Sequence, residues 1–322
     1  MTPLAAVERL VVEFGSGARA LRAVDEVSFE IAPGEALGVV GESGSGKSTL
    51  ARALLRLVVP AAGQVRVHGA DLATLPAAEL RRVRRQLAIV FQNPASSFDP
   101  RRTIGESVAE PLAVHARTLD RAARAARVGA MLERVGLDAA LGARRPHELS
   151  GGQCQRAAIA RAMIAAPELL ICDEATSALD VSVQAQIVNL LLDLRREHGM
   201  ACLIVSHNLA VVRRVASRVL VLYRGRIVEA APREALFAQP RHPYTRLLLD
   251  CVPALDAAAP GVARVPPESA SPFTRPSGCG FAGRCPHVEP RCRAAPPALE
   301  TVGADHRVAC VRWRDAVAAP GA

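Results

Sequence analysis

Hydrophobic positions along the chain form short continuous runs that alternate with longer segments of helical periodicity. The continuous runs predict buried strands, and they lie at 35–40, 87–90, 169–172 and 201–205. The segments with apolar residues at helical spacing predict helices, and they lie at 49–57, 76–86, 101–167 and 182–198. Strands that alternate with helices in this way predict a parallel sheet with right-handed crossovers, so the expected fold class is α/β.

Two regions depart from this alternation. Residues 10–12 and 27–31 are β-type runs broken by glycines at 15 and 17 and by Pro33-Gly34, and they predict antiparallel strands near the N-terminus. Residues 219–223 and 226–229 flank an Arg-Gly pair and predict a hairpin at the edge of a sheet.

The length of 322 residues allows one large domain and a smaller one. After about residue 235 prolines accumulate and the periodicity fades, which marks a boundary. We therefore expect a first domain over 1–234 and a C-terminal extension over 235–322.

Composition narrows the function only in part. The formal charge of +9 indicates an anionic partner, such as nucleic acid, phosphate or a membrane surface, without choosing among them. No stretch approaches about 18 consecutive apolar residues, and the N-terminus lacks the pattern of a secretory signal. We therefore expect a cytosolic chain whose eight cysteines do not form structural disulfides.

Residues 41–49 read Gly-Glu-Ser-Gly-Ser-Gly-Lys-Ser-Thr, fit G-x-x-x-x-G-K-[ST], and lie between a predicted strand and a predicted helix. In such a loop the glycines let backbone N–H groups surround phosphate oxygens, and the helix N-terminus adds positive partial charge. Lys47 can neutralise the β/γ-phosphates and the Ser48 hydroxyl can ligate Mg²⁺. A glycine-rich turn that happens to hold a lysine would not need the flanking strand and helix. The predicted nucleotide-binding residues are Gly41, Glu42, Ser43, Gly44, Ser45, Gly46, Lys47, Ser48 and Thr49.

The predicted strand 169–172 ends in two carboxylates, Asp173 and Glu174. In P-loop enzymes an acidic residue at such a strand end holds Mg²⁺, and an adjacent Glu can orient or deprotonate the attacking water. Many buried strands end in acidic residues that only cap the next helix, so the catalytic interpretation depends on the P-loop.

Residues 149–153 read Leu-Ser-Gly-Gly-Gln and precede a helical run. Ser150 is a natural helix N-cap, and two glycines before a helix leave an N-terminus that can receive anions. Capping alone does not explain the glycine pair and the glutamine. Here the chain resembles the ATP-binding cassette family, whose signature motif is LSGGQ. The resemblance covers about residues 7–232 and implies a P-loop NTPase (RecA-like) core with an antiparallel β subdomain and a helical subdomain, followed by the small C-terminal extension.

Further elements follow in the order of this family. Gln92 matches the Q-loop, residues 177–180 with Asp180 match the D-loop, His207 matches the switch histidine, and Phe14 resembles the aromatic residue that stacks on adenine. Taken one at a time, Gln92 could be a surface amide, His207 a core imidazole and Phe14 a core aromatic, but the shared order of the motifs argues against chance.

The resemblance implies a site completed by two subunits. The signature residues Ser150, Gly151, Gly152 and Gln153 would complete the nucleotide site of a second cassette, either a paralogue or an identical copy. In its own site Glu174 would act as base, His207 would contact the γ-phosphate, and Lys47 would bind phosphate. Gln92 would sense Mg²⁺, which Ser48, Gln92 and Asp173 would hold, and would face the membrane partner.

Three residues depart from the usual wording of the family. Ala175 and Asn208 stand where proline and aspartate are usual, and Cys154 lies in the signature region. Neither of the first two removes a charged catalytic group, so we expect activity to be retained. Cys154 would be either a thiol-sensitive site or a buried side chain.

The stretches 91–101, 177–186 and 242–248 resemble the subfamily that energises oligopeptide, dipeptide and nickel importers. This resemblance implies two transmembrane permease subunits, an extracytoplasmic solute-binding protein as an indirect partner, no nucleic acid, and a peripheral position on the cytoplasmic face of the inner membrane. We expect peptide import. The alternatives are import of nickel or another solute, a non-transport cassette ATPase, and a cassette that binds ATP but barely hydrolyses it.

Four of the eight cysteines lie near the C-terminus in the spacing C-x₅-C-x₆-C-x₁₇-C, with His287 and His306 nearby. The pattern recurs in the subfamily, some members of which carry an iron–sulfur cluster there. Four thiolates could hold [4Fe–4S] or Zn²⁺, although the spacing selects neither metal. The alternative is a set of reduced cysteines. The candidate ligands are Cys279, Cys285, Cys292 and Cys310.

Overall fold

A computed structural model describes residues 2–15, 20–116, 118–175, 179–250 and 277–314. Its strands are β1 (Ala5–Phe14), β2 (Leu21–Ile31), β3 (Ala36–Val40), β4 (Ala62–Val67), β5 (Ala70–Asp71), β6 (Leu87–Val90), β7 (Leu169–Asp173), β8 (Ala201–Val205), β9 (Arg218–Tyr223), β10 (Arg226–Pro232), β11 (Glu300–Gly303) and β12 (His306–Val308). Its α-helices are α1 (Lys47–Leu54), α2 (Ala77–Arg85), α3 (Ile104–His115), α4 (Arg121–Arg134), α5 (Gly151–Met163), α6 (Val181–His198), α7 (Leu209–Val215), α8 (Arg233–Ala238), α9 (Pro243–Asp250) and α10 (Pro290–Ala294).

The chain divides into two compact units. The first unit comprises Met1–Ala5, Glu30–Ala36 and Arg66–Ser206, and the second comprises Ala6–Phe29, Leu37–Val65 and His207–Ala322. The P-loop segment and the described part of the C-terminal extension therefore belong to the same unit.

The first unit contains three parallel strands in the order β6-β7-β8. Ile171 in β7 pairs with Ile89 in β6 and with Leu203 in β8. Every residue of β7 and β8 is buried, as expected for parallel strands covered on both faces. The predicted parallel α/β arrangement is confirmed here.

Helices α3, α4 and α5 of the first unit pack against one another. Residues 101–167 are helical as predicted, but the segment is divided into separate helices. Thr103 and Asp120 cap α3 and α4, and short 3₁₀ turns at Ala139–Ala143 and Pro146–Glu148 precede α5. Capping side chains satisfy N–H groups that the first turn of a helix leaves unpaired, so they fix where each helix begins.

In the second unit five strands lie in the order β11-β12-β10-β9-β3. Strand β3 runs parallel to β9, whereas β9 and β10 form the predicted antiparallel hairpin. The prediction that this hairpin lies at a sheet edge is wrong, because β10 also pairs with β12 of the extension through Glu229 and Val308. The extension thus adds two strands to the sheet that carries the P-loop.

A second sheet has the order β2-β1-β4-β5, and it confirms that the N-terminal residues form strands.

Within the described ranges, no helix combines the length and hydrophobicity needed to cross a bilayer. The cysteines in those same ranges are free thiols, and Cys251 lies outside them.

Candidate functional site

The P-loop connects β3 to α1, which confirms the predicted strand–loop–helix context. Gly46 caps the helix with φ of 102°, and a Cβ there would lie 2.1 Å from the carbonyl oxygen of Ala23. A Cβ at Gly41 would lie 2.2 Å from the carbonyl oxygen of Leu222. Both positions therefore require glycine, because at these two residues the loop passes too close to neighbouring backbone for a Cβ.

Lys47, the first residue of α1, is buried within the loop it follows. Its Nζ donates hydrogen bonds to the carbonyl oxygens of Gly41 (2.9 Å) and Glu42 (2.8 Å). Ser48 and Thr49 follow in the first turn of the helix. An ammonium group and a helix N-terminus thus combine on one loop, an arrangement that favours a bound phosphate.

A cavity of about 910 Å³ opens beside the loop. Its lining includes Glu42–Ser45, residues 20–23 that lead into β2, and residues 278–280 and 296–299 of the extension. The volume is in the range of small-molecule sites, but the lining does not include Lys47, Ser48 or Thr49. Phe14 lies at the end of β1 and is 45% exposed.

The predicted carboxylates lie at the end of β7. Asp173 is 1% exposed, and Glu174 follows it with a left-handed φ of 49° while its N–H donates to the Val205 carbonyl (2.9 Å). The Glu174 carboxylate accepts a hydrogen bond from Gln92 Nε2 at 2.9 Å. A non-glycine residue held at positive φ is a local strain of the kind found at functional sites. The structure thus brings together two predicted site residues, Gln92 and Glu174, from sequence positions 82 residues apart.

The signature residues form the N-terminus of α5. Ser150 is the N-cap as predicted, in a capping box where its hydroxyl accepts from the Gln153 N–H and its own N–H donates to Gln153 Oε1. Ser150 and Gly151 are exposed, whereas Gly152 packs so that a Cβ would lie 3.0 Å from Val183. The exposed helix N-terminus is open to an anion from another molecule.

Cys154 is 3% exposed, so the predicted burial of this thiol is confirmed. Its Sγ contacts the carbonyl oxygen of Pro146 at 3.3 Å, and burial raises the pKa of the thiol above its usual value. A reactive cysteine requires an accessible thiolate, which this environment opposes.

Two further predicted residues lie at helix starts. Asp180 caps α6, and hydrogen bonds from the Val183 N–H (2.8 Å) and the Ser182 hydroxyl hold the pKa of its carboxyl below the usual range. The D-loop residues 177 and 178 lie outside the described residues. His207 is exposed just before α7, and the adjacent Asn208 caps that helix through the Ala210 N–H (3.0 Å). Asn208, which stands where the family usually has aspartate, thus supplies the same kind of capping oxygen.

The four C-terminal cysteines line one small cavity of about 20 Å³, together with His287. Burial raises the pKa values of Cys279 and Cys285, and it raises that of Cys310 to about 11. A cavity of this volume holds about one water-sized particle. Within the part of the chain that the structure describes, no three His, Cys, Asp or Glu side chains are placed so that they could hold a metal ion. The four cysteines therefore lie around one cavity, but their thiols are not placed as a ligand set for a metal.

The extension makes a group of contacts that no sequence pattern predicts. Tyr244 and Arg284 bind Glu42 of the P-loop, and the buried Glu229 in β10 binds backbone N–H groups of Arg241 and His242. These partners are separated by 12 to 242 residues, so no local pattern indicates them. Tyr244 does lie in the stretch 242–248, but the resemblance of that stretch indicates a subfamily and not a contact with the nucleotide site.

The family described as ABC transporter matches residues 24–177, and the one described as oligopeptide/dipeptide transporter, C-terminal region, matches residues 228–292. A probable peptide ABC transporter ATP-binding protein of Sinorhizobium fredii is 49% identical over 92% of this chain and 84% of its own length. A putative peptide import ATP-binding protein of Brucella ovis is 46% identical over 97% of this chain and 98% of its own.

Two solved structures are similar to the chain as well. The dimeric post-hydrolysis ATP-binding cassette MJ0796 with ADP and Pi is 30% identical, has a TM-score of 0.66, and aligns over 71% of this chain and 98% of its own. The cbiO1 subunit of the Clostridium perfringens cbiONQ transporter is 27% identical, has a TM-score of 0.65, and aligns over 74% of this chain and 92% of its own.

Proposed function

This chain belongs to the ATP-hydrolysing subunits of ABC transporters, and we propose that it powers the import of dipeptides and oligopeptides through a separate permease. The observation that carries the proposal is the match of residues 228–292 to the C-terminal region of oligopeptide/dipeptide transporters. The names of the relatives in Sinorhizobium and Brucella support the same solute class.

We assign ATP binding to the P-loop, with Phe14 stacking on the adenine. The loop N–H groups and the α1 N-terminus would bind the phosphates, and Lys47 would turn its ammonium from the loop carbonyls toward them. Hydroxyl, amide and carboxylate oxygens suit a hard cation, so Ser48, Gln92 and Asp173 are assigned to Mg²⁺, which supplies positive charge to the β/γ-phosphate oxygens when bound.

We assign Glu174 as the general base that accepts a proton from the attacking water. The hydrogen bond from Gln92 holds the carboxylate in place, and a carboxylate in hydrogen-bond reach of water can accept its proton. His207, exposed before α7, is assigned to the γ-phosphate. The reaction is transfer of the γ-phosphoryl group to water, which yields ADP and phosphate.

We assign Ser150, Gly151, Gly152, Gln153 and Asp180 to contacts with a second cassette. The exposed N-terminus of α5 supports this role, because it presents backbone N–H groups outward. The second cassette is a paralogue or an identical copy. The proposal places the pair on two permease subunits, at the cytoplasmic face of the inner membrane, with a solute-binding protein on the opposite side and no nucleic-acid partner.

We also propose that Cys279, Cys285, Cys292 and Cys310 bind a metal, either [4Fe–4S] or Zn²⁺. Their shared cavity and soft sulfur donors support this, although the thiols would have to move inward to form a ligand set. Elemental analysis and the visible spectrum of anaerobically purified protein test it. Iron with broad absorbance or stoichiometric zinc supports the proposal, and a protein with neither metal refutes it.

An uptake experiment tests the solute. A strain lacking this chain is complemented with wild type or with Lys47→Ala, and import of a labelled tripeptide, of a dipeptide and of ⁶³Ni²⁺ is measured. We expect wild type alone to restore peptide uptake. Restoration of nickel uptake only, or of neither solute, would refute peptide import.

A further inference from the structure

Glu42, the second residue of the P-loop, is held by two side chains of the C-terminal extension. The Arg284 guanidinium donates a paired hydrogen bond to its carboxylate, at 2.7 Å from Nη1 and 2.9 Å from Nη2. The backbone N–H of Glu42 donates to the Tyr244 hydroxyl at 2.8 Å. The C-terminal extension therefore pairs with the charge of Glu42 and fixes the orientation of its peptide N–H.

The two side chains that bind Glu42 are themselves firmly packed. Tyr244 is fully buried, with its ring centroid 4.6 Å from that of Tyr223 and 5.4 Å from that of Phe281. Arg284 lies over the same Tyr223 and Phe281 rings, at 6.0 and 5.8 Å. Since Tyr223 ends β9, which pairs with β3, this aromatic cluster is continuous with the strand that leads into the P-loop.

Glu42 also connects the extension to the catalytic lysine. Its carbonyl oxygen accepts hydrogen bonds from Lys47 Nζ at 2.8 Å and from the Ser45 N–H at 3.2 Å. A shift of the Glu42 peptide group would therefore displace the lysine ammonium and the turn of the loop together.

The charge of Glu42 is a problem for an anion site. An unpaired carboxylate in the first turn of the loop would repel a triphosphate, because charges in partly buried surroundings interact over several ångströms. Arg284 neutralises it: its hydrogen bonds with Glu42 raise the pKa of the guanidinium further above its usual value, so it stays charged.

We propose that Arg284 and Tyr244 are positioning residues for ATP: Arg284 cancels the charge of Glu42, and Tyr244 fixes its peptide group so that the P-loop is open to phosphate. The extension, which resembles the C-terminal region of a transporter family, thereby also has a role at the nucleotide site. This inference rests on the proposed ATP site, and it concerns residues outside the P-loop.

Nucleotide binding and ATPase activity of the full-length protein test the inference. The variants are Arg284→Met, Glu42→Gln and the double variant, with Arg291→Met, which removes an exposed arginine paired to Glu289, as the matched control. Arg284→Met should weaken ATP binding about tenfold, increasingly so at low salt, because it leaves the carboxylate unpaired. Glu42→Gln should tighten binding, and the double variant should recover most of the loss of Arg284→Met. The control should match wild type.

A purely structural link between extension and loop predicts the reverse pattern, in which Glu42→Gln weakens binding and the double variant is no better than Arg284→Met. That pattern, or an Arg284→Met variant that binds like wild type, would overturn the inference. If Arg284→Met does not fold, the direction of the Glu42→Gln effect decides alone. Wild type that fails to bind ATP at all would instead refute the proposed function. Tyr244→Phe should raise KM for ATP more than it lowers kcat, and an unchanged KM would overturn the role of the hydroxyl.

Discussion

Glu229 is the buried carboxylate that joins the extension to strand β10, and its replacement by alanine is a strong test of how the extension is held. The side chain is 0% exposed. Its oxygens accept hydrogen bonds from the N–H groups of Arg241 (2.7 Å) and His242 (2.9 Å), and lie 2.7 Å from Nε2 of His306.

Glu229→Ala removes the acceptor from three buried polar groups at once. Leaving a buried donor unsatisfied costs about 1–3 kcal/mol, and breaking a buried charged network by removing one partner costs about 3–5 kcal/mol in total. We therefore expect the free energy of unfolding to fall by about 4 kcal/mol. At about 2–4 °C for each kcal/mol, the Tm should fall by about 10 °C.

The assay is calorimetric melting of wild type, Glu229→Ala and Glu289→Ala, together with limited proteolysis of the extension. Glu289 pairs with Arg291 at a partly exposed position, where such a pair contributes less than about 1 kcal/mol. We expect only Glu229→Ala to melt early and to be cleaved faster in the extension. Equal melting of the two variants would refute the reasoning.

Three other expectations follow from local geometry. Gly46→Ala should weaken nucleotide binding at least about tenfold, because the new Cβ would lie 2.1 Å from the Ala23 carbonyl oxygen. Gly44→Ala shares the strain of a left-handed φ (80°) but meets no atom within 4 Å, so it should weaken binding less; equal titration curves would contradict this. Cys154 should resist iodoacetamide in the native protein and react after denaturation, as followed by mass spectrometry, because its thiol is buried and its pKa is raised; rapid native labelling would contradict it. Burial lowers the pKa of His242 from 6.5 to about 4, so the unfolded chain takes up the proton first and stability should fall by about 3 kcal/mol between those pH values. His242→Asn should flatten that slope in denaturant titrations, and an unchanged slope would contradict the assignment.

Features set by neighbouring residues could be predicted from the sequence. The P-loop, the N-cap Ser150 and the buried strands β7 and β8 each depend on a few consecutive residues, whose glycine content, capping oxygen or apolar run is visible directly. The turns between α4 and α5 could not be predicted in this way, because the helical composition continues through them.

Features that depend on distant residues could not be predicted. The hairpin β9–β10 was predicted, but its position at an edge was wrong, because the partner β12 has only three residues and lies about 80 positions later. The contact of Arg284 with Glu42 is likewise a consequence of tertiary packing. The spacing of the four C-terminal cysteines suggested a shared site, and they do line one cavity, but the spacing did not indicate the distances between sulfur atoms that a metal would need.

We propose that this chain hydrolyses ATP with Glu174 as general base to drive peptide import. The most direct measurement is peptide-dependent ATPase activity of the transporter reconstituted in liposomes, with wild type or with Glu174→Gln. The account predicts that peptide stimulates wild type, and that the variant binds ATP but loses about 10²–10⁴-fold in hydrolysis, as expected for loss of a general base. Undiminished hydrolysis by Glu174→Gln, or ATPase activity that does not respond to any peptide, would contradict it.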